Sequence, residues 1–216
     1  MGEGWQMIKR KKTKKIYVGD VAVGGNAPIT VQSMTNTDTR DVKKTVSQIR
    51  RLETAGCDIV RVAVPDEVAA EALAKIIPSV KIPLIADIHF NYRLALKSIE
   101  YGANGIRINP GNIGNRKRIE HVVRKAADCG TVIRIGINSG SLEKDLLKKY
   151  GHPCAEALVE SALRNIEIVE GFSFDRIKVS IKSTDVRTSI AAHRLLSKKT
   201  SYPLHIGITE AGTAFS

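Results

Sequence analysis

Five stretches of the chain alternate aliphatic and polar positions in the same way. They are Val60-Arg61-Val62-Ala63-Val64, Ile106-Arg107-Ile108-Asn109, Ile133-Arg134-Ile135-Gly136-Ile137-Asn138, Ile177-Lys178-Val179-Ser180-Ile181-Lys182 and His205-Ile206-Gly207-Ile208-Thr209. Strand side chains point to opposite faces in turn. Each stretch therefore predicts a strand with one aliphatic face and one face carrying Arg61, Arg107, Arg134, Lys178 or His205. Extended along the chain, this reading predicts seven strands, at 28–35, 58–64, 83–89, 105–109, 132–138, 175–182 and 203–209. Between them the apolar spacing becomes helical, as in Val42, Val46, Ile49 and Leu52, then Val68 to Ile77, Arg93 to Tyr101, Ile119 to Ala127 and a helix from Ala155.

The punctuation agrees. Gly56, Gly102, Gly130 and Gly171 stand where helices would stop, and Pro28, Pro83 and Pro203 where strands would start. Strand, covering helix, then parallel strand is the βαβ module, and its repetition predicts an α/β fold of the (β/α)8 barrel type. Ahead of it, Ile16 to Gly25 alternates around Gly19-Asp20 and predicts a hairpin able to plug the bottom of a barrel. Leu142 to Tyr150 predicts an extra short helix. A closed barrel has eight strands and runs to about 250 residues. The expectation is thus a TIM-like barrel over 16–216, truncated after strand seven, behind a basic segment at 1–15.

Composition narrows the classes. The 216 residues are 43% hydrophobic and 26% charged, which is globular, and no apolar run approaches the roughly 20 residues of a membrane span. With no apolar stretch after the basic start, a cytoplasmic protein is expected. A net charge of +12 invites nucleic-acid binding, but much of it is local to Lys9-Arg10-Lys11-Lys12-Thr13-Lys14-Lys15, read as a solvated run, and 5% aromatic residues offer few platforms for bases. Cys57, Cys129 and Cys154 are far apart and belong to no C-x-x-C pair, so they read as free thiols, with Cys57 and Cys129 small buried groups at helix ends.

In a parallel barrel the aliphatic faces go to the helices, leaving the cations for the lumen. Burying several of them without counter-charge costs on the order of several kcal/mol each, because every ion gives up its hydration. Two carboxylates are placed to answer them: Asp87, on one face with His89 at the C-terminal end of the third strand, and Glu210 after the seventh. The surplus predicts an anionic ligand with more than one phosphate, for Arg offers a planar fork of donors and Lys a point charge. The loop Asn109-Pro110-Gly111-Asn112-Ile113-Gly114, leading into a helix, predicts N–H groups free to meet an anion.

Longer motifs share a pattern with a known family. Val31-Gln32-Ser33-Met34-Thr35-Asn36-Thr37-Asp38-Thr39, Ala86-Asp87-Ile88-His89-Phe90, Arg107-Ile108-Asn109-Pro110-Gly111-Asn112, Arg134-Ile135-Gly136-Ile137-Asn138-Ser139-Gly140-Ser141-Leu142 and Thr209-Glu210-Ala211-Gly212 closely resemble the 4-hydroxy-3-methylbut-2-enyl diphosphate synthase family, from about Lys11 to Ser216. The resemblance implies a barrel binding 2-C-methyl-D-erythritol 2,4-cyclodiphosphate in the non-mevalonate route to isoprenoids. It also implies a second domain with a [4Fe–4S] cluster, flavodoxin or ferredoxin as electron donor, and a homodimer. It implies that Arg61, Arg107, Arg134 and Lys178 hold the diphosphate, with Asn109, Asn138, Ser180, Lys182, His205 and Thr209 adding polar contacts. Asp87, His89 and Glu210 would be the catalytic residues, facing the carbon skeleton or a leaving oxygen. No C-P-x-C segment is present, so the cluster ligands are not expected in this chain. Two other readings compete: a Schiff-base aldolase using Lys178 or Lys182, and a non-catalytic phosphate or nucleic-acid binder using the basic N-terminus.

Overall fold

The computed structural model of the protein describes residues 10–207. Two strands, β1 (Lys15–Val18) and β2 (Val21–Gly24), pair antiparallel as the predicted hairpin. Six more form one parallel sheet in sequence order: β3 (Gln32–Met34), β4 (Ile59–Ala63), β5 (Leu84–Asp87), β6 (Gly105–Ile108), β7 (Val132–Asn138) and β8 (Ile177–Lys182). Each βα unit returns to the next position, which gives the curled, unbroken strand order of a TIM-like barrel.

The helices are α1 (Val42–Thr54), α2 (Glu67–Ile76), α3 (Tyr92–Glu100), α4 (Pro110–Ile113), α5 (Arg116–Asp128), α6 (Lys144–Tyr150), α7 (Ala155–Glu170) and α8 (Val186–Lys199). Their starts are written locally. Asp41, Asp66, Asn91, Asn115 and Asp185 each accept from a backbone N–H of the first turn, and such caps contribute about 1 kcal/mol apiece. Gly56 and Gly102 take φ of +89° and +94° just after α1 and α3, a conformation that costs a residue with a Cβ.

Several boundaries differ from the sequence reading. The first barrel strand is Gln32–Met34 rather than 28–35, because Asp58 Oδ2 accepts from the Val31 N–H at 2.7 Å and withdraws that donor from any ladder. The third strand ends at Asp87, so His89 lies beyond it. The loop at 109–114 is largely the short helix α4. The expected strand at 203–209 is seen as a parallel bridge between Leu204 and Val179, with His205 N–H donating to Val179 O at 2.7 Å. Thr209 and Glu210 lie outside the described residues. Arg10, Lys11, Lys12 and Lys14 are exposed, as a solvated run would be, but the segment is tethered: Lys14 N–H donates to Ser201 O at 2.7 Å, Arg10 Nη1 to Ala27 O at 3.0 Å, and Lys14 Nζ sits 4.6 Å from the Tyr202 ring centre. Cys57 is buried as expected, but Cys129, capping α5, is exposed.

The core has two parts, and their separation positions the site. The larger lies between sheet and helices, built from outward strand residues such as Val60, Val62, Ile106, Ile133 and Val179. The smaller lies inside the barrel, where Ile59, Ile85 and Val132 meet Ile16, Val18 and Val23 of the hairpin. The hairpin is the plug the alternation predicted. Only the upper part of the lumen is left for polar groups.

Candidate anion-binding site in the barrel lumen

Register assembles the site. Asp87 pairs with Arg107, Arg107 with Arg134, and Arg134 with Lys178, so four successive strands place a charged residue at one level. Cα partners in a parallel sheet share a face, and the face shared with Ile85 and Val132 is the inner one. Arg61 stands two residues before Ala63, the partner of Asp87, and joins the same layer from below. Gly136 and Ser180 pair one step higher, and Asn138 and Lys182 above them.

One carboxylate is shared by two cations. Arg61 Nη1 lies 3.5 Å from Asp87 Oδ2, and Arg107 Nη1 3.4 Å from Asp87 Oδ1. Arg107 Nη2 donates to the Gly136 carbonyl at 3.4 Å. With the Asn138 amide oriented by its neighbours, Asn138 Oδ1 accepts from the same Nη2 at 2.9 Å and its Nδ2 donates to Ile137 O at 3.2 Å. Arg134 is 1% exposed and donates through Nε to Ser180 Oγ at 3.1 Å. Its Nη1 and Nη2, with Nε of Arg61 and of Arg107, are buried and have no partner among the described residues. Lys178, 3% exposed, donates across the lumen to Gln32 Oε1 at 3.0 Å.

Burial and crowding both lower the pKa values of these groups. Burial, then the charges of Arg134 and Arg61, pull Lys178 down from 10.5 to about 7. Burial and the guanidinium groups, Arg61 first, bring Lys182 to about 8. Burial, then Arg61 and Arg107, lower Arg134 to about 9. His205 falls to about 2 through burial and then the charges of Arg134 and Lys178, which keeps its imidazole neutral at physiological pH. A neighbouring anion opposes every one of these shifts, since opposite charge favours the protonated form.

Of the residues singled out in sequence, Arg61, Asp87, Arg107, Arg134, Asn138, Lys178, Ser180, Lys182 and His205 are brought to this lumen. His89 is not: it is exposed, with its ring 6.0 Å from that of Phe90. Asn109 is buried, but its Oδ1 caps α4, accepting from Gly111 N–H at 3.1 Å, so that N–H is not free for an anion as the loop had suggested. Sequence reasoning missed Gln32, Met34, whose Sδ lies 3.0 Å from Arg61 Nη2, and Gly136. Alternation along Gln32-Ser33-Met34 was a signal for the first two. A cleft of about 310 Å³ beside Lys178 and His205 opens between β3 and residues 203–206. A larger one, about 780 Å³, lies at the hairpin end near Tyr17, Asn104 and Arg176 and contains none of the lumen cations.

The family model described as the GcpE TIM-barrel domain matches residues 13–216. The chain belongs to this family. Two relatives of the GcpE-type barrel, from Clostridium tetani and Pseudomonas savastanoi pv. phaseolicola, are named 4-hydroxy-3-methylbut-2-en-1-yl diphosphate synthase (flavodoxin). The first is 59% identical over 95% of this chain and the second 60% identical over 97%. The chain spans 59% and 57% of their respective lengths. Among solved structures, 3-dehydroquinate dehydratase from Geobacillus kaustophilus HTA426 matches with a TM-score of 0.61, 17% identity and coverage of 88% of this chain and 77% of that one. A 7,8-dihydropteroate synthase from Vibrio fischeri ES114 matches with a TM-score of 0.60 at 12% identity, over 88% and 76%. At such identities these two speak for the GcpE barrel's fold and for nothing more.

Proposed function

We propose that this chain is the substrate-binding barrel of a 4-hydroxy-3-methylbut-2-enyl diphosphate synthase, and that its lumen holds 2-C-methyl-D-erythritol 2,4-cyclodiphosphate. The observation that carries the reading is Arg134. A guanidinium 1% exposed, with both terminal nitrogens unpartnered among the described residues, is costly to bury, and an anion beside it would offset that cost. With Arg61, Arg107, Lys178 and Lys182 around Arg134, one carboxylate, Asp87, faces five basic residues in the described lumen. A diphosphate supplies the missing negative charge, and its several oxygens match several forks of donors. The names of the relatives at 59% and 60% identity point to the same diphosphate chemistry.

In this reading Arg134, Arg107 and Lys178 bind and orient the diphosphate. Ring opening breaks a carbon–oxygen bond to phosphate, and cations fixed before the reaction stabilise the oxyanion that leaves. Asp87 holds Arg61 and Arg107 apart in fixed positions. His205, neutral, offers a hydrogen bond at the edge of the site. We place Glu210 and Thr209 with the substrate by resemblance alone.

The family resemblance also implies a [4Fe–4S] cluster. Among the described residues no three His, Cys, Asp or Glu side chains are grouped as metal ligands, so these residues do not fit the cluster. We place its ligands outside them, with flavodoxin or ferredoxin as donor and a homodimer as the assembly. A cytoplasmic location belongs to the same proposal; no described helix is long and apolar enough to cross a membrane.

Calorimetric titration of the cyclodiphosphate into wild type and Arg134→Met tests the assignment. Replacing a buried, unpaired cation by an apolar group of similar length keeps or raises stability. The expected result is a folded variant that no longer binds. Undiminished binding by Arg134→Met, or none by wild type, overturns the reading.

A further inference from the structure

A second polar cluster lies beside the lumen, and its geometry is directional. Glu143 precedes α6, Ser161 and Asn165 lie one turn apart on α7, and Gly111 is the second residue of α4. Ser161 and Asn165 are each 1% exposed. Glu143 Oε1 accepts from Ser161 Oγ at 2.9 Å and from Asn165 Nδ2 at 3.2 Å. The same Nδ2 gives its other hydrogen to Ser161 O at 2.9 Å, and Asn165 Oδ1 accepts from Gly111 N–H at 2.9 Å.

An ionised carboxylate only accepts, so it fixes which way the Asn165 amide faces. Turned over, Asn165 would set oxygen against carboxylate and nitrogen against the Gly111 N–H. Gly111 N–H is shared between Asn165 Oδ1 and Asn109 Oδ1, so the order runs from Glu143 through Asn165 to the turn that carries Asn109 and Asn112. Glu143 also closes the loop that begins at Asn138, the residue accepting from Arg107. One carboxylate thus ties together the two loops that follow β6 and β7 at the C-terminal mouth of the barrel.

We propose that Glu143 is a positioning residue for the anion site, holding the 109–114 turn and the 138–143 loop in the arrangement that receives the diphosphate. The proposal rests on the diphosphate-binding reading. Glu143→Ala removes the acceptor, leaving Asn165 Nδ2 held by Ser161 O alone and weakening its share of the Gly111 N–H, which then relies more on Asn109 Oδ1 and exchanges faster. Gln retains one acceptor oxygen but buries an amide nitrogen where Oε2 now has no partner among the described residues.

Two measurements on the full chain decide it: hydrogen exchange over 109–114 and the Kd for the cyclodiphosphate. Glu160→Ala is the control, since Glu160 pairs with Lys149 across the same two helices, and with Arg164 within α7, without reaching Gly111. The expected results are faster exchange and about tenfold weaker binding in Glu143→Ala, about threefold weaker binding in Glu143→Gln, and no change in Glu160→Ala. Unchanged exchange or unchanged Kd in Glu143→Ala overturns the proposal, as does an equal loss in Glu160→Ala, which would reduce Glu143 to helix docking. If the alanine variant does not fold, wild-type exchange and Kd in Glu143→Gln overturn it. If wild type does not bind, the diphosphate reading falls first, and unchanged exchange in Glu143→Ala then also removes the tether.

Discussion

Arg107 lies across the backbone of Gly136: a Cβ at that position would overlap Nε and stand 3.0 Å from Cζ of the guanidinium. The glycine is needed for space rather than for an unusual backbone angle. Through it, one arginine reaches Asp87, the Gly136 carbonyl and Asn138 together.

Gly136→Ala is therefore expected to push Arg107 out of line. Affinity for the cyclodiphosphate should fall about tenfold or more, and stability by roughly 1–3 kcal/mol, the usual cost of overpacking. Titration calorimetry and urea unfolding on the same variant measure both. An alanine variant with wild-type affinity would show that the register of Arg107 does not matter to the ligand.

Asp87 is the carboxylate between Arg61 and Arg107. Asp87→Asn leaves both cations without it and should destabilise the ligand-free chain by about 3 kcal/mol. Inorganic pyrophosphate should recover part of that loss by bringing the charge back, seen as a larger shift in thermal midpoint than it produces in wild type.

The lumen lysines give stability a defined dependence on pH. Lys178 and Lys182 titrate near 7 and 8 in the fold, against 10.5 for the free side chain. Between those values the unfolded chain binds more protons than the folded one, so stability rises with pH from about 7 toward 10. The ligand-free chain should have a higher denaturation midpoint at pH 9 than at pH 6.5, and Lys178→Met should flatten the rise.

Binding of a polyanion opposes the same shifts. At pH 8 the complex should take up protons, mainly on Lys178 and Lys182, because the ligand favours their charged forms. Calorimetric enthalpies in buffers of different ionisation heat measure the uptake. Proton release at that pH would contradict a cation-lined site.

The plug can be tested apart from the ligand. Ile85 is fully buried in the lumen, in the cluster with Ile16 and Val18 of the hairpin. Ile85→Ala should cost about 2–5 kcal/mol in urea unfolding. A loss well under 1 kcal/mol would mean that the hairpin does not seal the barrel.

Much of this architecture is legible in the order of the residues. A period of two with basic residues on one face marks β4, β6, β7 and β8, and since a parallel strand has two buried faces, the polar one must turn to the lumen. Caps such as Asp66 and Asn115 mark helix starts because their side-chain oxygens satisfy N–H groups only a few residues away. These are local relations, and a linear sequence carries them. The tertiary structure alone decided what depends on register and on distant partners: that Asp87, Arg107, Arg134 and Lys178 stand level, that Gly136 makes room for Arg107, and that Asn109 caps its own helix while His89 faces solvent. The short strand β3 was overread because Asp58, 27 residues away, takes the Val31 N–H. Alternation tells which face a side chain is on. Its height in the barrel, and whether its donors are already spent, are set by strands and loops packed from elsewhere in the chain.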